Sequence, residues 1–253
     1  MKRVDQRDLR SLRPIEIVTG FHRLSEGSVL FRAGGTVVLC TASVDESLPK
    51  FIEPGEKGWL TAEYQMHPRA NPRRQDRDGR GRALGGRTQE IQRLIGRSLR
   101  AAIVLEQLGP RTITIDCDVL EADGGTRTAS VTGGFIALAL ALHKITENGL
   151  LTRPVLRDSV AAISSGVVGE EAMLDLCYIE DSRARVDLNV VATGSGTMVE
   201  VQGTAEGVPV PRSDMDALVD LALEGVRSLT KIQTDTLARA GVSLDALRAK
   251  GEL

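Results

Sequence analysis

Residues 112–145 read TITIDCDVLEADGGTRTASVTGGFIALALALHKI. Ile113 and Ile115 alternate with threonines, the period-two pattern of a strand with one buried face. From Ser130 the run SVTGGFIALALALHKI is apolar nearly all round, which predicts a central helix packed on both sides. Between them lies DGGTRT, with two glycines, a hydroxyl and a guanidinium where the helix begins. A strand that feeds a central helix through a glycine turn indicates an α/β fold.

Upstream, GSVLF at 27–31 and TVVLCTASV at 36–44 flank Gly34-Gly35 and predict a hairpin. Residues 54–86 are rich in Arg, Gly, Pro, Asn and Asp without a sustained apolar period, and most of this segment is expected to be a mobile loop. Ile91, Leu94, Ile95, Leu99, Ala102 and Ile103 then recur at helical spacing, with Thr88 a fitting N-cap. Arg93, Arg97 and Arg100 fall on the opposite face, as a solvated line, a subunit contact or an RNA contact. Downstream, strands are expected from Ser159, Ala172, Ala184 and Thr197, and helices close the chain over 214–241 and 243–250. No stretch reads as a linker. The expectation is one domain, 1–253, with an α/β fold and a loose internal duplication of strands followed by helix.

Of the 253 residues, 42% are hydrophobic, enough for a sizeable core. The net charge of -2 is uneven, because ten arginines between Arg69 and Arg100 face only Asp76, Asp78 and Glu90. That segment stands at +7 and the remainder at -9. A basic island on an acidic body points to a polyanion held at one place. Cys40, Cys117 and Cys177 are separated in sequence and sit in apolar runs, so buried free thiols are expected and a disulfide framework or CxxC metal pair is not. The start MKRVDQRDLRSLRP lacks the apolar core of a signal peptide, and no run is expected to span a membrane; a cytoplasmic location follows as an expectation.

The chemistry concentrates at three places. In Gly124-Gly125-Thr126-Arg127, glycines admit close approach of an oxyanion, Thr126 supplies a hydroxyl and Arg127 a planar fork of donors matched to phosphate oxygens. The lysine of a nucleotide-hydrolysing loop is absent, which argues against ATP hydrolysis. A glycine turn that merely starts a helix gives the same pattern. Gly85-Gly86-Arg87-Thr88 offers the same ingredients at a second helix start, and the two reinforce one another only if they converge. In ARVDLNVV, alternation sets Arg185, Asp187 and Asn189 on one face. Asp181 shares that face if the strand reaches back so far. Such a pair could hold Mg²⁺ with its waters, or one member could act as general acid; a solvent-facing strand edge reads identically. Asp116 and Asp118 form a weaker pair of the same kind.

GRTQEIQRLIGRSLRA at 86–101, DCDVLEADGGTRTASVTGG at 116–134 and LCYIEDSRARVDLNVV at 176–191 resemble the ribonuclease PH family of phosphorolytic exoribonucleases. RxDxRxxxxLRPI from Arg3 to Ile15, GSVL at 27–30 and GWLTAEY at 58–64 agree, so the resemblance spans almost the whole chain. It implies a tRNA nucleotidyltransferase that trims tRNA precursors and other RNA 3′ ends, using inorganic phosphate as co-substrate and releasing nucleoside diphosphates. The phosphate ligands it implies are Arg87, Gly125, Thr126 and Arg127. Asp181 and Asp187 become the catalytic pair, acting directly or through Mg²⁺, and Arg69, Arg74 and Arg77 grip tRNA. The fold implied is α/β of α+β type, mixed β-sheets packed with helices, and the assembly implied is a homohexameric ring, a trimer of dimers. His67 stands where the family usually carries an apolar residue, outside the phosphate motifs. A catalytically silent RNA-binding ring subunit of the same fold is the alternative, and loss of the phosphate arginines or the acidic pair would mark it. This chain retains both sets.

Overall fold

The structure is a computed structural model that describes residues 3–249 except residues 54, 56 and 82. Arg82, one of the ten arginines of the basic segment, lies outside the described residues, as do Pro54 and Lys250. Strands β1 (Ile15–Thr19), β2 (Gly27–Ala33), β3 (Thr36–Asp45), β4 (Trp59–Met66) and β5 (Thr112–Glu121) form one sheet in the order β1-β2-β3-β5-β4. The predicted hairpin is β2–β3, closed at Ala33↔Thr36. All pairs are antiparallel except β4–β5, whose parallel register requires a crossover. Helix α1 (Gly86–Ala101) provides it.

Helix α2 (Thr126–Glu147) follows β5 and leads to a second sheet of β6 (Val160–Val168), β7 (Glu171–Leu174), β8 (Ala184–Thr193) and β9 (Met198–Ala205), in the order β7-β6-β8-β9. The one-turn helix α3 (Tyr178–Asp181) sits between β7 and β8, and α4 (Arg212–Arg239) and α5 (Leu244–Leu247) end the described chain. Sheet followed by helix thus occurs twice.

Helix α2 holds the two halves together. It packs on β2 and β3 of the first sheet and on β6 of the second. Phe135, Ile136, Leu138 and Leu142 are fully buried, which explains an apolar pattern with almost no polar face. Gly133 and Gly134 permit this closeness, because a Cβ on either would meet Phe31 and Cys40, or Ile115 and Leu99, at 3.0–3.3 Å. By length and composition α2 would pass for a membrane span, which corrects the expectation that no run qualifies; its apolar surface is instead covered by the two sheets. Strand β6 is buried at every position because α2 covers one face and α4 the other.

Three local expectations are corrected. The segment taken mostly as loop contains β4, whose Leu60, Ala62 and Tyr64 face the core with period two; the arginines that follow it mask that alternation. Helix α1 is capped at Gly85, not Thr88, and ends at Ala101, after which Ile103 bridges Leu156. The strand read from Ala172 through Ile179 stops at Leu174, because Asp175 takes a left-handed φ of 56° and α3 begins three residues later. Cys40 and Cys117, though distant in sequence, are cross-strand partners with sulfurs 3.8 Å apart; both remain free, buried thiols, as does Cys177.

Candidate active site

Strand β5 delivers the chain to Ala122, where two left-handed glycines, Gly124 (φ 75°) and Gly125 (φ 63°), turn it into α2. A Cβ at Gly124 would lie 2.8 Å from the backbone of Cys177 and Tyr178, so only glycine lets this loop rest against α3. The loop is fastened from behind. Arg13 donates to the Asp123 carbonyl at 2.6 Å, the Thr36 hydroxyl donates to the Gly124 carbonyl at 2.7 Å, and the Asp123 N–H donates to Thr36 Oγ1 at 2.9 Å. With these carbonyls held and no side chain capping the helix, the first-turn N–H groups of α2 are left for an anion.

Arg13 is itself locked by Asp175, which accepts from its guanidinium at 2.8 Å and from its backbone N–H at 2.7 Å. Arg3 and Arg7 join Glu180 in the same buried cluster, Arg3 through contacts of 2.8 and 2.6 Å. The RxDxRxxxxLRPI segment therefore clasps both the glycine loop and α3.

A cavity of about 460 Å³ opens in front of the loop. Arg87, Gly125, Thr126, Arg127, Asp181 and Asp187, the phosphate and carboxylate residues expected from the sequence, all line it. The two helix starts converge, as their shared reading required. Thr126 shares a hydrogen bond of 2.9 Å with the Tyr64 hydroxyl. Arg127 donates to Gln202 at 2.7 Å and to Glu90 at 3.1 Å, contacts that aim its fork.

The carboxylates reach the cavity from different elements. Asp187 projects from β8, whereas Asp181 ends α3, so the expectation that one strand carries both on a shared face is corrected: the loop between α3 and β8 folds Asp181 back beside it. Burial pushes both carboxyls above the usual range. For Asp187 the Asp181 charge adds to that; for Asp181 the charges of Arg87, Arg127 and Arg13 oppose it. Asp187 Oδ1 is buried without a hydrogen-bond partner, and Oδ2 accepts only a long contact of 3.4 Å from Asn189. A buried, bare carboxylate oxygen invites a proton or a hard cation. No group of three or more His, Cys, Asp or Glu gathers as a metal cage among the described residues.

Arg69, Arg74 and Arg77 lie outside the cavity on the segment from His67 to Gly85, all three exposed and Arg74 paired to Asp76 at 3.1 Å. Their segment is anchored at Ala70, whose carbonyl accepts from Ala122, and at His67, whose Nδ1 accepts from the Arg69 N–H. Asn71 and Gln75 of this segment do reach the cavity. The arginine line on α1 is mostly engaged within the chain: Arg97 pairs with Glu200 at 2.9 Å, and Arg100 lies 4.8 Å over the Trp59 ring and donates to the Leu60 carbonyl. Asp116 and Asp118 line a separate depression with Glu63, away from the arginines, and burial raises the Asp116 carboxyl. Sequence reasoning missed Tyr178, Asn71 and Gln75 as lining residues, and Arg13, Glu90 and Gln202 as supports; only Arg13 carried a signal, within the N-terminal motif.

Two helix starts and two arginines opposite a carboxylate pair, with no histidine or cysteine in the cavity wall among the described residues, define an enzyme that handles phosphate by positioning and charge. Residues 11–143 match the family described as 3′ exoribonuclease family, domain 1, and residues 158–225 match 3′ exoribonuclease family, domain 2. The chain is 53% identical to ribonuclease PH of Crocosphaera subtropica over 239 residues, covering 94% of this chain and 99% of that protein. Its fold is similar to that of rice (Oryza sativa) Rrp46, with a TM-score of 0.75 at 18% identity over 93% of this chain and all of the other. The Archaeoglobus fulgidus exosome with RNA bound to the active site also matches, with a TM-score of 0.75 at 22% identity over 91% of this chain and 92% of that one. The chain belongs to the ribonuclease PH family of 3′ exoribonucleases.

Proposed function

We propose that this protein is a phosphate-dependent 3′-to-5′ exoribonuclease that trims tRNA precursors and releases nucleoside 5′-diphosphates. The observation that carries this reading is the convergence of Arg87, Arg127, the α2 start and the Asp181–Asp187 pair on one cavity. Inorganic phosphate sits against the Gly125 and Thr126 amides and the two arginines. One of its oxygens attacks the phosphorus of the terminal phosphodiester, the bond to the 3′ oxygen breaks, and the terminal nucleotide leaves as a diphosphate. The departing 3′ oxygen takes a proton from the carboxylate pair, whose raised affinity for protons suits a general acid. A diester is exchanged for an anhydride, so the reverse nucleotidyl transfer is accessible.

The same pair fits Mg²⁺, because two carboxylates with waters and phosphate oxygens suffice for that ion and Asp187 Oδ1 is without a partner. Asp181 and Asp187 would hold it, and when bound it would neutralise phosphate charge. Arg69, Arg74 and Arg77 meet the RNA outside the cavity. The two family regions act as one functional unit, since the site draws β5, α2, α3 and β8 together. A homohexameric ring completes the proposal, supported by the family and by the exosome-like fold, with a single sedimenting species of six copies as its mark; the proposed setting is the cytoplasm.

The test is incubation with 3′-extended RNA and Mg²⁺, with and without inorganic phosphate, followed by identification of the released nucleotides. Diphosphates released only with phosphate are expected. Monophosphates released without it overturn the reading.

A further inference from the structure

We infer that Tyr178 is a stacking platform for the base of the nucleotide being removed, an inference that rests on the proposed phosphorolysis of RNA. Tyr178 lines the cavity that holds Arg127, Asp181 and Asp187, yet its side chain is open, at 62% exposure. The only other tyrosine, Tyr64, is buried against Thr126. The Tyr178 ring and hydroxyl have no hydrogen-bond or ring partner among the described residues. An aromatic ring left open beside a phosphate-binding cavity is a large apolar face for a planar ligand to cover.

The backbone beneath the ring is fixed. The Tyr178 N–H donates to the Asp123 carboxylate at 3.2 Å, Gly124 rests directly on the same peptide, and Glu180 in the same turn is clasped by Arg3. The residue that presents the ring is therefore tied to the loop proposed to hold the phosphate, and a nucleotide with its phosphate among the arginines has its base within the same cavity mouth. Aromatics make up 3% of the chain, so platforms of this kind are scarce elsewhere. Every base has a π-face, so such a contact grips the terminal nucleotide without selecting its identity, which suits an enzyme that must remove whatever base comes next.

The test compares wild-type protein, Tyr178→Ala and Tyr178→Phe on a short RNA ending in a normal nucleotide and on the same RNA ending in an abasic one. Loss of one base stack is expected to lower kcat/KM for RNA by on the order of ten-fold. Wild type and Tyr178→Phe should show that loss on the abasic RNA. Tyr178→Ala should show it already on normal RNA, with no further abasic penalty and an unchanged KM for phosphate. An abasic penalty of the same size in Tyr178→Ala and wild type overturns the inference while leaving phosphorolysis standing. Absence of phosphate-dependent release by wild type overturns the phosphorolytic reading and the inference together.

Discussion

Arg127 meets three kinds of neighbour: a helix start that favours anions, two acceptors that hold its fork, and a carboxylate pair across the cavity. Its contact to Gln202 at 2.7 Å fixes a side chain that would otherwise sweep several rotamers, so donors are in place before phosphate arrives. Replacing Arg127 with Ala should reduce phosphate-dependent turnover by about 10²- to 10³-fold, as removal of one preorganised donor does elsewhere. RNA binding, measured by filter retention, should be nearly unchanged; equal loss of both would place Arg127 on the RNA instead. Asp187 presents the opposite balance, because its folded-state proton affinity is raised by burial and by Asp181. A carboxyl with a raised folded pKa loses stability as pH climbs from its unfolded value through its folded one. At neutral pH its charge is thus a cost to the fold. Asp187→Asn should raise stability at pH 7 to 8 by on the order of 1 kcal/mol or less, given partial solvent screening, while phosphorolysis is abolished. The gain should vanish below about pH 4, where the unfolded carboxyl is protonated too. Thermal melts across pH check the sign.

Among the elements, those with a strong period were legible in the sequence. The β2–β3 hairpin, β5, β8 and the apolar stripe of α1 follow their patterns closely. Strand β4 was hidden because the arginine-rich composition on its C-terminal side swamps an alternation of only three core residues. Helix α3 was hidden because LCYI has strand composition, and its helical turn is imposed by tertiary contacts of Arg3, Arg7 and Glu180 that no local pattern encodes. The residues proposed to bind phosphate were legible because glycine, hydroxyl and arginine at a helix start have one shared chemistry. Their supports come from β9, α1 and the N-terminal segment, whose proximity is a matter of topology.

That N-terminal clasp carries its own consequence. Arg3 and Glu180 are each about 4% exposed, and removing one partner strands a buried charge. Burial alone would raise the Glu180 carboxyl, but the hydrogen bonds and charge of Arg3 outweigh it and hold it below the usual range. A depressed carboxyl stabilises above its unfolded pKa and loses that contribution as pH falls through the folded one. Arg3→Met should cost about 3 kcal/mol at neutral pH by denaturant unfolding, with the deficit shrinking in acid. A change under 0.5 kcal/mol would show the clasp to be decorative. For the exposed segment carrying Arg74 and Arg77, the contact sought is with RNA phosphates. The Arg74→Ala/Arg77→Ala double variant should flatten the salt dependence of RNA binding by up to about 1.4 in the slope of log K against log salt, if both arginines contact single-stranded backbone. An unchanged slope assigns the grip elsewhere.

At the scale of the whole molecule, the site straddles two sheets that share one helix. Gln233 of α4 donates to the carbonyls of Thr132 in α2 and Val160 in β6, and Thr132 in turn bonds both the carbonyl and the N–H of Ala162. These buried bonds stitch the second sheet and α4 to α2 a few residues beyond the loop proposed to hold phosphate. Loops that bind ligands usually open cheaply and often. Here the loop runs straight into the first turn of the most deeply buried helix, so it lacks a cheap way to open. Amide hydrogens of residues 129–132 should exchange only through global unfolding, with the same denaturant dependence as the centre of β6, whereas those of the arginine-bearing segment should exchange near the free rate. The half of the site proposed to grip phosphate would then be as durable as the protein itself, and any breathing that admits RNA or releases product would have to come from the other side of the cavity.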